Sequence, residues 1–421
     1  MLPRLLPRIL PLLALALVAV MMPTTLTTST AAAAPPQRKI QYAEWRGAAL
    51  AEGTFAGTVL RHDQLRIGRP VATRRYGGTT YGVGRWQSPW HAPGFTLTEL
   101  IASWQATTPR NSWVEVQVRG RTAQGRRSSW DTLARWAARD QHIRRTSVRG
   151  QGDDLADINV DTWRVPGGVT AWQLRVNLMR AGRARPTMRA LGAVASRLPD
   201  VDGVATSRRG VASGPDNVVL AVPRYSQMVH SGHYPSWGGG GQAWCSPTAL
   251  SMVLGYHDAL PPAAAYSWVP DGHPQPWVDY AARMTFDHAY DGTGNWPFNT
   301  AYAGNRIGSG GRAYVTRLRS LRQAERFIAR GIPLVASIAF GAGELDGAPI
   351  SSTNGHLVVI AGFTRSGDVV VNDPAARSKK GVRRTYDRGQ FEDAWLPTSG
   401  GVVYVVARDE GDRTPFRSPR R

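Results

Sequence analysis

Residues 241–252 read GQAWCSPTALSM and contain Cys245, the only cysteine of this 421-residue chain. Proline suits the first turn of a helix and serine is a good N-cap, so Ser246 and Pro247 predict a helix start here. Cys245 is then expected just before the helix, where the positive end of the helix dipole favours the nucleophilic thiolate. A small buried hydrophobe is the alternative, but the glycine-rich stretch WGGGGQAWC (237–245) indicates close backbone approach instead. The stretch therefore predicts a reactive thiol.

A nucleophilic thiol needs a base, and His356 is the leading candidate. It opens the predicted strand HLVVIAGF, which a turn joins to the strand VVVN and then to Asp373. In an antiparallel hairpin the start of one strand faces the end of the other, so Asp373 is expected near His356, where a carboxylate can orient the imidazole. Asn372 competes for that role, but strand neighbours point to opposite faces. His230 and His233, in the loop before the cysteine, remain alternative bases.

Acyl transfer also requires hydrogen-bond donors for the oxyanion. Gln227, in VPRYSQ, and Gln242, three residues before the cysteine, both qualify, with the backbone N–H of Cys245 as a second donor. The HxxH spacing of His230 and His233 is a weak metal signal, since no carboxylate or cysteine ligand lies nearby in the sequence. The sequence therefore predicts neither a metal nor a cofactor.

Taken in order, the segments VPRYSQ, WCSPTALSMVLGYH, NGHLVVIAGF and VVVNDP resemble papain-like cysteine peptidases of the bacteriocin-leader-processing type. More narrowly, they resemble the secreted peptidase C39-like branch found in actinobacteria, which RGQFEDAW (388–395) also fits. The resemblance covers residues 219–407 and implies a papain-like fold, a Cys-His-Asp triad and a glutamine oxyanion donor.

The sequence departs from that family pattern at two places. Gln227 matches the family glutamine by position, but the insert MVHSGHYPSWGGGGQAW (228–244) separates it from the cysteine, where the bacteriocin-processing enzymes have only a few residues. Ser246 stands where glycine is common. Those enzymes also normally sit on a transporter, which this sequence lacks, so their substrate is not carried over.

Residues 41–180 are predicted to form a β-rich, sandwich-like domain. SWVEVQVRG (112–120) and AWQLRVNLM (171–179) alternate apolar and polar residues, which is typical of half-buried antiparallel strands. WDTLARWAAR (130–139) is predicted as an interrupting helix. Residues 181–218 are rich in Arg, Gly, Pro and Ser and are predicted as a linker.

Residues 219–407 mix helices and strands and predict an α+β peptidase-like domain behind the sandwich. CSPTALSMVLGYH and SLRQAERFIARG are the predicted helices, and Ser320 with Gln323 fits a capping box in the second. The predicted strands are IPLVASIAF, GHLVVIAGF, DVVVNDP and GVVYVVA. Residues 408–421 are predicted as a basic tail.

The first 34 residues predict a secretory signal peptide. Arg4 and Arg8 precede an apolar run (9–22), and small residues end in four alanines (31–34). An uncleaved anchor is the alternative, although the run is short of the about 20 residues that a membrane span needs. We therefore expect a secreted, extracellular or cell-wall-associated protein with no membrane attachment after cleavage.

The net charge of +21 is carried almost entirely by arginine and is spread along the chain. Nucleic-acid binding would call for a clustered basic stripe or a known module, and the sequence shows neither. Attraction to an anionic cell-wall polymer remains an option. The sequence does not predict an oligomeric state.

Two functions compete at this point. The leading hypothesis is a secreted thiol hydrolase that cleaves peptide or amide bonds, in proteins or in cell-wall peptides, through Cys245, His356 and Asp373. The second is a wall- or glycan-binding protein with a non-catalytic papain-like scaffold, in which tryptophans of the front half stack on sugars. Core packing is the alternative for those tryptophans, which are Trp104, Trp113, Trp130, Trp136, Trp163 and Trp172.

Overall fold

The structure is a computed structural model that describes residues 37–215 and 217–408. The predicted signal peptide and residues 409–421 of the predicted tail lie outside this range. The described chain is mostly β-sheet with some helices, and a β-rich N-terminal part precedes a mixed C-terminal part. Within the described residues, no helix combines the length and apolar character that a bilayer crossing requires.

Two antiparallel sheets of seven strands each form the N-terminal part. Their strands are β1 (Lys39–Arg46), β2 (Thr54–Ala56), β3 (Thr58–Arg61), β4 (Gln64–Ile67), β5 (Ala72–Tyr76), β6 (Thr79–Gln87), β7 (Leu97–Thr107), β8 (Ser112–Arg121), β9 (Asp131–Trp136), β10 (Thr146–Ser147), β11 (Asp157–Asn159), β12 (Thr162–Val169), β13 (Ala171–Arg180) and β14 (Thr187–Arg197). One sheet has the order β11-β12-β7-β14-β4-β3 with β1 beside β14, and the other has the order β10-β9-β8-β13-β6-β2 with β5 beside β6. Leu100 of β7 and Val116 of β8 belong to one shared core, so the sheets face each other as a sandwich.

Two predictions for this part are wrong. Residues 131–136 of the predicted helix form β9, because pairing with β8, with Ala134 opposite Val116, overrides their helix propensity. The predicted linker contains β14, which pairs with both β7 and β1. The segments rich in Arg, Gly, Pro and Ser on either side of β14 favoured the linker prediction. A side chain at Gly192 would place its Cβ 2.6 Å from the carbonyl oxygen of Ala43 in β1.

Core packing accounts for the tryptophans of the sandwich. Five of the six are fully buried: Trp104, Trp113, Trp136, Trp163 and Trp172. Trp130 is half-buried, and the guanidinium carbons of two arginines lie 4.1 and 4.5 Å from its ring centroid. Arginine side chains therefore already cover the Trp130 ring, so none of the six tryptophans offers an open ring for a sugar.

A six-stranded antiparallel sheet with helices on both faces forms the C-terminal part. Its helices are α1 (Cys245–Tyr256), α2 (Pro276–Thr285), α3 (Trp296–Ile307), α4 (Leu321–Ile328) and α5 (Arg388–Ser399), and its strands are β15 (Gly311–Arg317), β16 (Leu334–Phe340), β17 (Thr353–Phe363), β18 (Val369–Asn372), β19 (Arg383–Tyr386) and β20 (Val402–Arg408). The sheet order is β15-β20-β16-β17-β18-β19. Leu250 of α1 shares a core with Val359 on one face, and Phe327 of α4 with Val358 on the other.

The predicted helices and strands of this part are present, with one local difference at α4. Ser320 is its N-cap residue, but its side chain makes no capping hydrogen bond. The side-chain oxygen of Gln323 instead accepts a hydrogen bond from the backbone N–H of Arg319, at 2.8 Å. The reciprocal capping box is therefore not formed.

Ion pairs and hydrogen bonds fix the sandwich against the C-terminal part. The pairs are Glu44–Arg312 at 2.8 Å, Glu99–Arg317 at 2.7 Å and Asp140–Arg283 at 2.8 Å. The hydroxyl of Ser103 in β7 also accepts a hydrogen bond from the N–H of Val315 in β15, at 2.8 Å. The sandwich therefore packs directly on the C-terminal part instead of hanging from a flexible tether.

Candidate active site

Cys245 is half-buried at the start of α1 and lines a cleft of about 580 Å³. It is the first helical residue and follows the N-cap residue Trp244, so the helix begins two residues earlier than an N-cap at Ser246 predicts. The first N–H groups of a helix have no intrahelical acceptor, and they carry the positive end of its dipole. Ser246 is not the N-cap; its hydroxyl lies 2.9 Å from the hydroxyl of Tyr404 in the core.

The hairpin of β17 and β18 brings His356 and Asp373 together. Val359 pairs with Asn372 in this hairpin, and His356 Nε2 lies 2.8 Å from Asp373 Oδ1. The side chain of Cys245 also interacts with His356 and helps to raise the pKa of the imidazole. Because Nε2 contacts the carboxylate, Nδ1 is the ring nitrogen left to face the sulfur. Cysteine, histidine and aspartate thus form one connected chain of side chains.

The carboxylate of Asp373 is fully buried and has further donors. Tyr386 donates its hydroxyl to Oδ2 at 2.7 Å, and the N–H of Ala375 donates to Oδ1 at 2.9 Å. Asn372 points away: its amide nitrogen lies 2.9 Å from the carbonyl oxygen of Pro223. The geometry therefore selects Asp373 over Asn372 as the partner of His356.

Electrostatics in this chain favour a charged imidazole. Burial disfavours the imidazolium, but the charge and hydrogen bond of Asp373, together with Cys245, outweigh it and raise the pKa of His356 to about 10. Burial likewise opposes ionisation of Asp373, yet His356, Tyr386 and the N–H of Ala375 hold the pKa of its carboxyl below the usual value. At neutral pH the site contains an imidazolium beside the sulfur and a carboxylate behind it.

The two glutamines have different surroundings. Gln227 is buried, and its side-chain amide donates to the carbonyl oxygen of Gln242 at 2.5 Å, in the turn that leads into Cys245. Its own side-chain oxygen is buried without a hydrogen-bond partner among the described residues. Gln242 is exposed, and its side chain contacts the loop backbone at Gly232 and Gly239. Gln227 is therefore directed towards the cysteine turn, whereas Gln242 supports the loop.

His230 and His233 do not join the Cys245 site in this structure. Their Nδ1 atoms lie 3.1 and 2.8 Å from the two carboxylate oxygens of Asp279, in the first turn of α2. The sequence separates this carboxylate from the histidines by more than forty residues, so their spacing alone could not reveal it.

The glycine run 238–241 accommodates the chain's own backbone. A Cβ on Gly241 would lie 1.8 Å from the carbonyl oxygen of His230, and one on Gly240 would lie 2.8 Å from that of His233. The predicted close approach is therefore present, and its partner is the preceding turn of the same segment.

The sandwich forms one wall of the cleft, which sequence reasoning did not anticipate. The tip of the β11–β12 hairpin, residues 159–162, lines the cleft together with Arg164. Val160, a β-branched residue, has a φ of 57° there, which is an uncommon conformation that the surrounding structure must hold in place. Residues 291–294, the end of β16 and the start of β17 also line the cleft.

Asp161 anchors that hairpin tip to the C-terminal part. Its Oδ2 accepts a hydrogen bond from the N–H of Trp296, the first residue of α3, at 3.0 Å. Burial raises the pKa of Asp161 to about 6, against the effect of this bond and of one from Thr162. Both the sandwich and the C-terminal part therefore contribute residues that line the cleft.

Comparisons with known proteins agree with this division. Residues 41–196 match the family described as the Peptidase C39 N-terminal domain, in its actinobacterial form, and residues 219–403 match the Peptidase C39-like family. A search of curated proteins finds no match for this chain. The second match supports a peptidase-type hydrolase with peptide substrates. Together, the two matched regions show that the chain belongs to the actinobacterial C39-like peptidase family.

Proposed function

We propose that this protein is a secreted cysteine peptidase with a papain-like catalytic domain, in which Cys245, His356 and Asp373 act as the catalytic triad. The single observation that supports this most strongly is that His356 lies 2.8 Å from the buried Asp373 and interacts with the side chain of Cys245, which lines an open cleft. A nucleophile bonded to a base, with the base held by a third group, is the arrangement that covalent acyl transfer requires.

The first half-reaction forms an acyl-enzyme. The thiolate of Cys245 attacks the carbonyl carbon of the scissile bond, and the carbonyl π electrons move onto oxygen. Gln227 and the N–H of Cys245 donate hydrogen bonds to this oxyanion. When the intermediate collapses, the C–N bond breaks and the imidazolium of His356 gives its proton to the leaving amine. A thioester remains on the sulfur.

The second half-reaction releases the acid. His356, now neutral, removes a proton from water, and the resulting hydroxide attacks the thioester carbon. The C–S bond breaks, and the carboxylic acid product leaves. Asp373 stabilises the imidazolium that forms again and keeps Nδ1 directed at the sulfur. Each turnover consumes one water and restores the initial charge state.

The substrate is a peptide, either of a protein or of a cell-wall polymer. We place the protein outside the cell on the predicted signal peptide, and the net charge of +21 would concentrate it near anionic wall polymers. The position of the sandwich supports a role in shaping the cleft. No observation favours sugar stacking, because the front-half tryptophans are buried or covered by arginine.

A thiol-directed peptide probe tests this proposal. A peptidyl chloromethyl ketone is expected to alkylate Cys245 in the wild type and to leave Cys245→Ser unlabelled. His356→Ala is expected to lower the labelling rate at pH 7 by more than about 10-fold, since the imidazolium no longer favours the thiolate. A rate for wild-type Cys245 equal to that of free cysteine would overturn the proposal.

A further inference from the structure

Five arginines that lie far apart in the sequence gather on the outer face of one sandwich sheet. Val116 and Val118 of β8 belong to the sandwich core, and strand neighbours point to opposite faces, so Arg119 points outward. The C-terminal part packs on the other sheet, where Ile101 of β7 shares its core. The outward face of the β6–β8–β13 sheet therefore points away from the C-terminal part. We call it the arginine face and define it by Arg85, Arg119, Arg121, Arg127 and Arg175.

The nearby carboxylate of β8 is already paired with other residues. Glu115 forms ion pairs with Arg74 at 2.7 Å and with Arg135 at 3.3 Å. Within residues 37–215 and 217–408, none of the five residues of the arginine face forms an ion pair with a carboxylate. Their positive charges are therefore available to an external anion.

Neutral amides hold two of these guanidinium groups without neutralising them. Arg119 donates from Nε and Nη2 to the side-chain oxygen of Gln173, at 2.9 and 2.7 Å. Arg175 donates from Nε to the side-chain oxygen of Gln117, at 2.8 Å. A guanidinium group has five N–H donors, so both arginines keep N–H groups for a further acceptor.

Two tryptophan rings fix the same guanidinium groups. The guanidinium carbons of Arg119 and Arg175 lie 4.5 and 4.1 Å from the ring centroid of Trp130. Those of Arg119 and Arg121 lie 5.1 and 4.7 Å from that of Trp90. Stacking and hydrogen bonding restrict these side chains before any ligand arrives, which lowers the entropic cost of binding. An ordinary solvated surface does not hold its arginines in this way.

The positive charges of the arginine face also repel one another. Burial lowers the pKa of Arg119, and the charge of Arg127 lowers it further. Burial, Arg85 and Arg119 lower the pKa of Arg175 to about 10. All these groups stay charged at neutral pH, so their proximity costs free energy that a bound anion would offset.

We propose that the arginine face binds an extracellular polymer of repeating phosphodiester groups, as found in anionic cell-wall polymers. The planar fork of a guanidinium group matches two oxygens of one phosphate. The charges of such a polymer lie in its backbone, so successive repeats can contact successive arginines of the face. The proposed secretion would bring the face into contact with this class of polymer.

The rings of this face disfavour nucleic acid as the alternative partner. Proteins that bind single strands stack bases on open aromatic rings. Arginine already occupies Trp90 and Trp130, as the ring distances above show. A phosphodiester polymer without bases needs the charges alone.

The location of the arginine face indicates what binding would achieve. The β11–β12 hairpin that lines the Cys245 cleft belongs to the other sheet of the sandwich. A polymer on the arginine face would therefore leave the cleft open to a peptide. The inference adds an attachment function to the proposed hydrolysis and does not depend on it.

Calorimetry of the full-length secreted protein with lipid-free poly(glycerol phosphate) tests the inference. We expect saturable binding at 0.15 M salt, weakened more than about 10-fold in Arg119→Gln combined with Arg121→Gln, since loss of one charge-assisted hydrogen bond typically has that effect. The matched control is Arg326→Gln combined with Arg330→Gln, which removes the same charge from exposed residues of the C-terminal part. It should change the affinity by less than about 2-fold, because distant surface charges are screened. No saturable binding by wild type, or equal weakening in both double variants, would overturn the inference.

Other polyanions test the chemistry of the partner. Poly(glutamic acid) of equal charge should bind more weakly than poly(glycerol phosphate), and single-stranded DNA of equal phosphate number should bind no more tightly. Equal or tighter binding of poly(glutamic acid) would overturn the phosphodiester assignment. Tighter binding of DNA would make nucleic acid the partner and would overturn it too.

A second variant keeps the test valid if the first one folds poorly. Arg85→Gln combined with Arg127→Gln changes two exposed side chains and should retain the thermal melt of wild type. It should also lower the slope of log affinity against log salt concentration by about 1–2, roughly one for each lost phosphate contact. An unchanged slope in this variant would overturn the assignment of the face. None of these readouts uses activity, so a failed peptidase proposal leaves them unaffected.

Discussion

Replacing Asp373 with asparagine changes the charge behind His356 while keeping the size of the side chain. In the wild type, Asp373 is fully buried and lies 2.8 Å from the imidazole, whose pKa is raised to about 10 from 6.5 against the effect of burial. An opposite charge at such distances typically shifts a pKa by about 1–3 units. Asp373→Asn should therefore lower the pKa of His356 to about 7–9.

The sign of the pH dependence follows from this shift. The imidazolium is the proton donor to the leaving amine, so hydrolysis in the wild type should fall as pH rises through about 10. In Asp373→Asn the same decline should occur about 1–3 units lower. A shift of 2 units leaves about one tenth as much imidazolium in the variant as in the wild type at pH 9. The same ion pair stabilises the fold below the unfolded pKa of His356, and that contribution is lost as pH rises through about 10.

Nitrogen-15 spectra of the histidine side chains measure this pKa directly, with the His356 signal assigned by its absence in His356→Gln. Tyr386→Phe is the matched control, because it removes one hydrogen bond from Asp373 and leaves the charge in place. It should move the pKa of His356 by less than about 1 unit. If Asp373→Asn leaves the His356 pKa near 10, or if both variants shift it equally, the charge-pair explanation is wrong.

Three further predictions concern the neighbouring residues. Gln227→Ala should lower kcat by about 100- to 1,000-fold in a peptide-hydrolysis assay, as loss of one oxyanion donor does. Gln242→Ala should lower kcat by less than about 10-fold. Equal losses of kcat would contradict the assignment of Gln227 as the oxyanion donor. Burial raises the pKa of the Asp161 carboxyl to about 6, so the stability that the protonated carboxyl provides is lost as pH rises through that value. Asp161→Asn should therefore raise the free energy of unfolding at pH 8 by up to about 3 kcal/mol. Urea melts at pH 8 and pH 4 should show this gain only at pH 8. Gly241→Ala should lower the free energy of unfolding by about 2–4 kcal/mol in the same melts, since its Cβ would lie 1.8 Å from a carbonyl oxygen. Gly167→Ala, with nothing within 4 Å of the added Cβ, should lower it by less than about 1 kcal/mol. Similar losses of stability in the two variants would contradict the packing argument.

Local signals made the hairpin and the cysteine helix predictable from the sequence. Period-two patterns and a short turn set the pairing of β17 with β18, and this pairing alone brings His356 near Asp373. Proline and serine after Cys245 indicated the helix start to within two residues. These features depend on neighbours a few residues apart, where propensity and side-chain alternation apply.

Features that depend on distant partners were beyond the sequence. Residues 131–136 carry helix-favouring leucine and alanine, but pairing with β8 decides their conformation. The strand β14 was missed because the segments on either side of it are rich in Arg, Gly, Pro and Ser, and the need for a glycine at position 192, where β1 approaches closely, depends on a distant partner. The contact of Asp279 with His230 exists only after α2 has packed against the segment before Cys245, and the sandwich wall of the cleft exists only after the two parts of the chain have packed.

The appearance of new amine termini tests the central claim most directly. Wild type and Cys245→Ala would each be incubated with purified cell walls and, separately, with a peptide library, and mass spectrometry would identify the amines released by hydrolysis. We predict new termini in at least one substrate set with the wild type and none above background with Cys245→Ala. The same termini from both proteins, or none from the wild type with either substrate, would contradict a thiol peptidase built on Cys245.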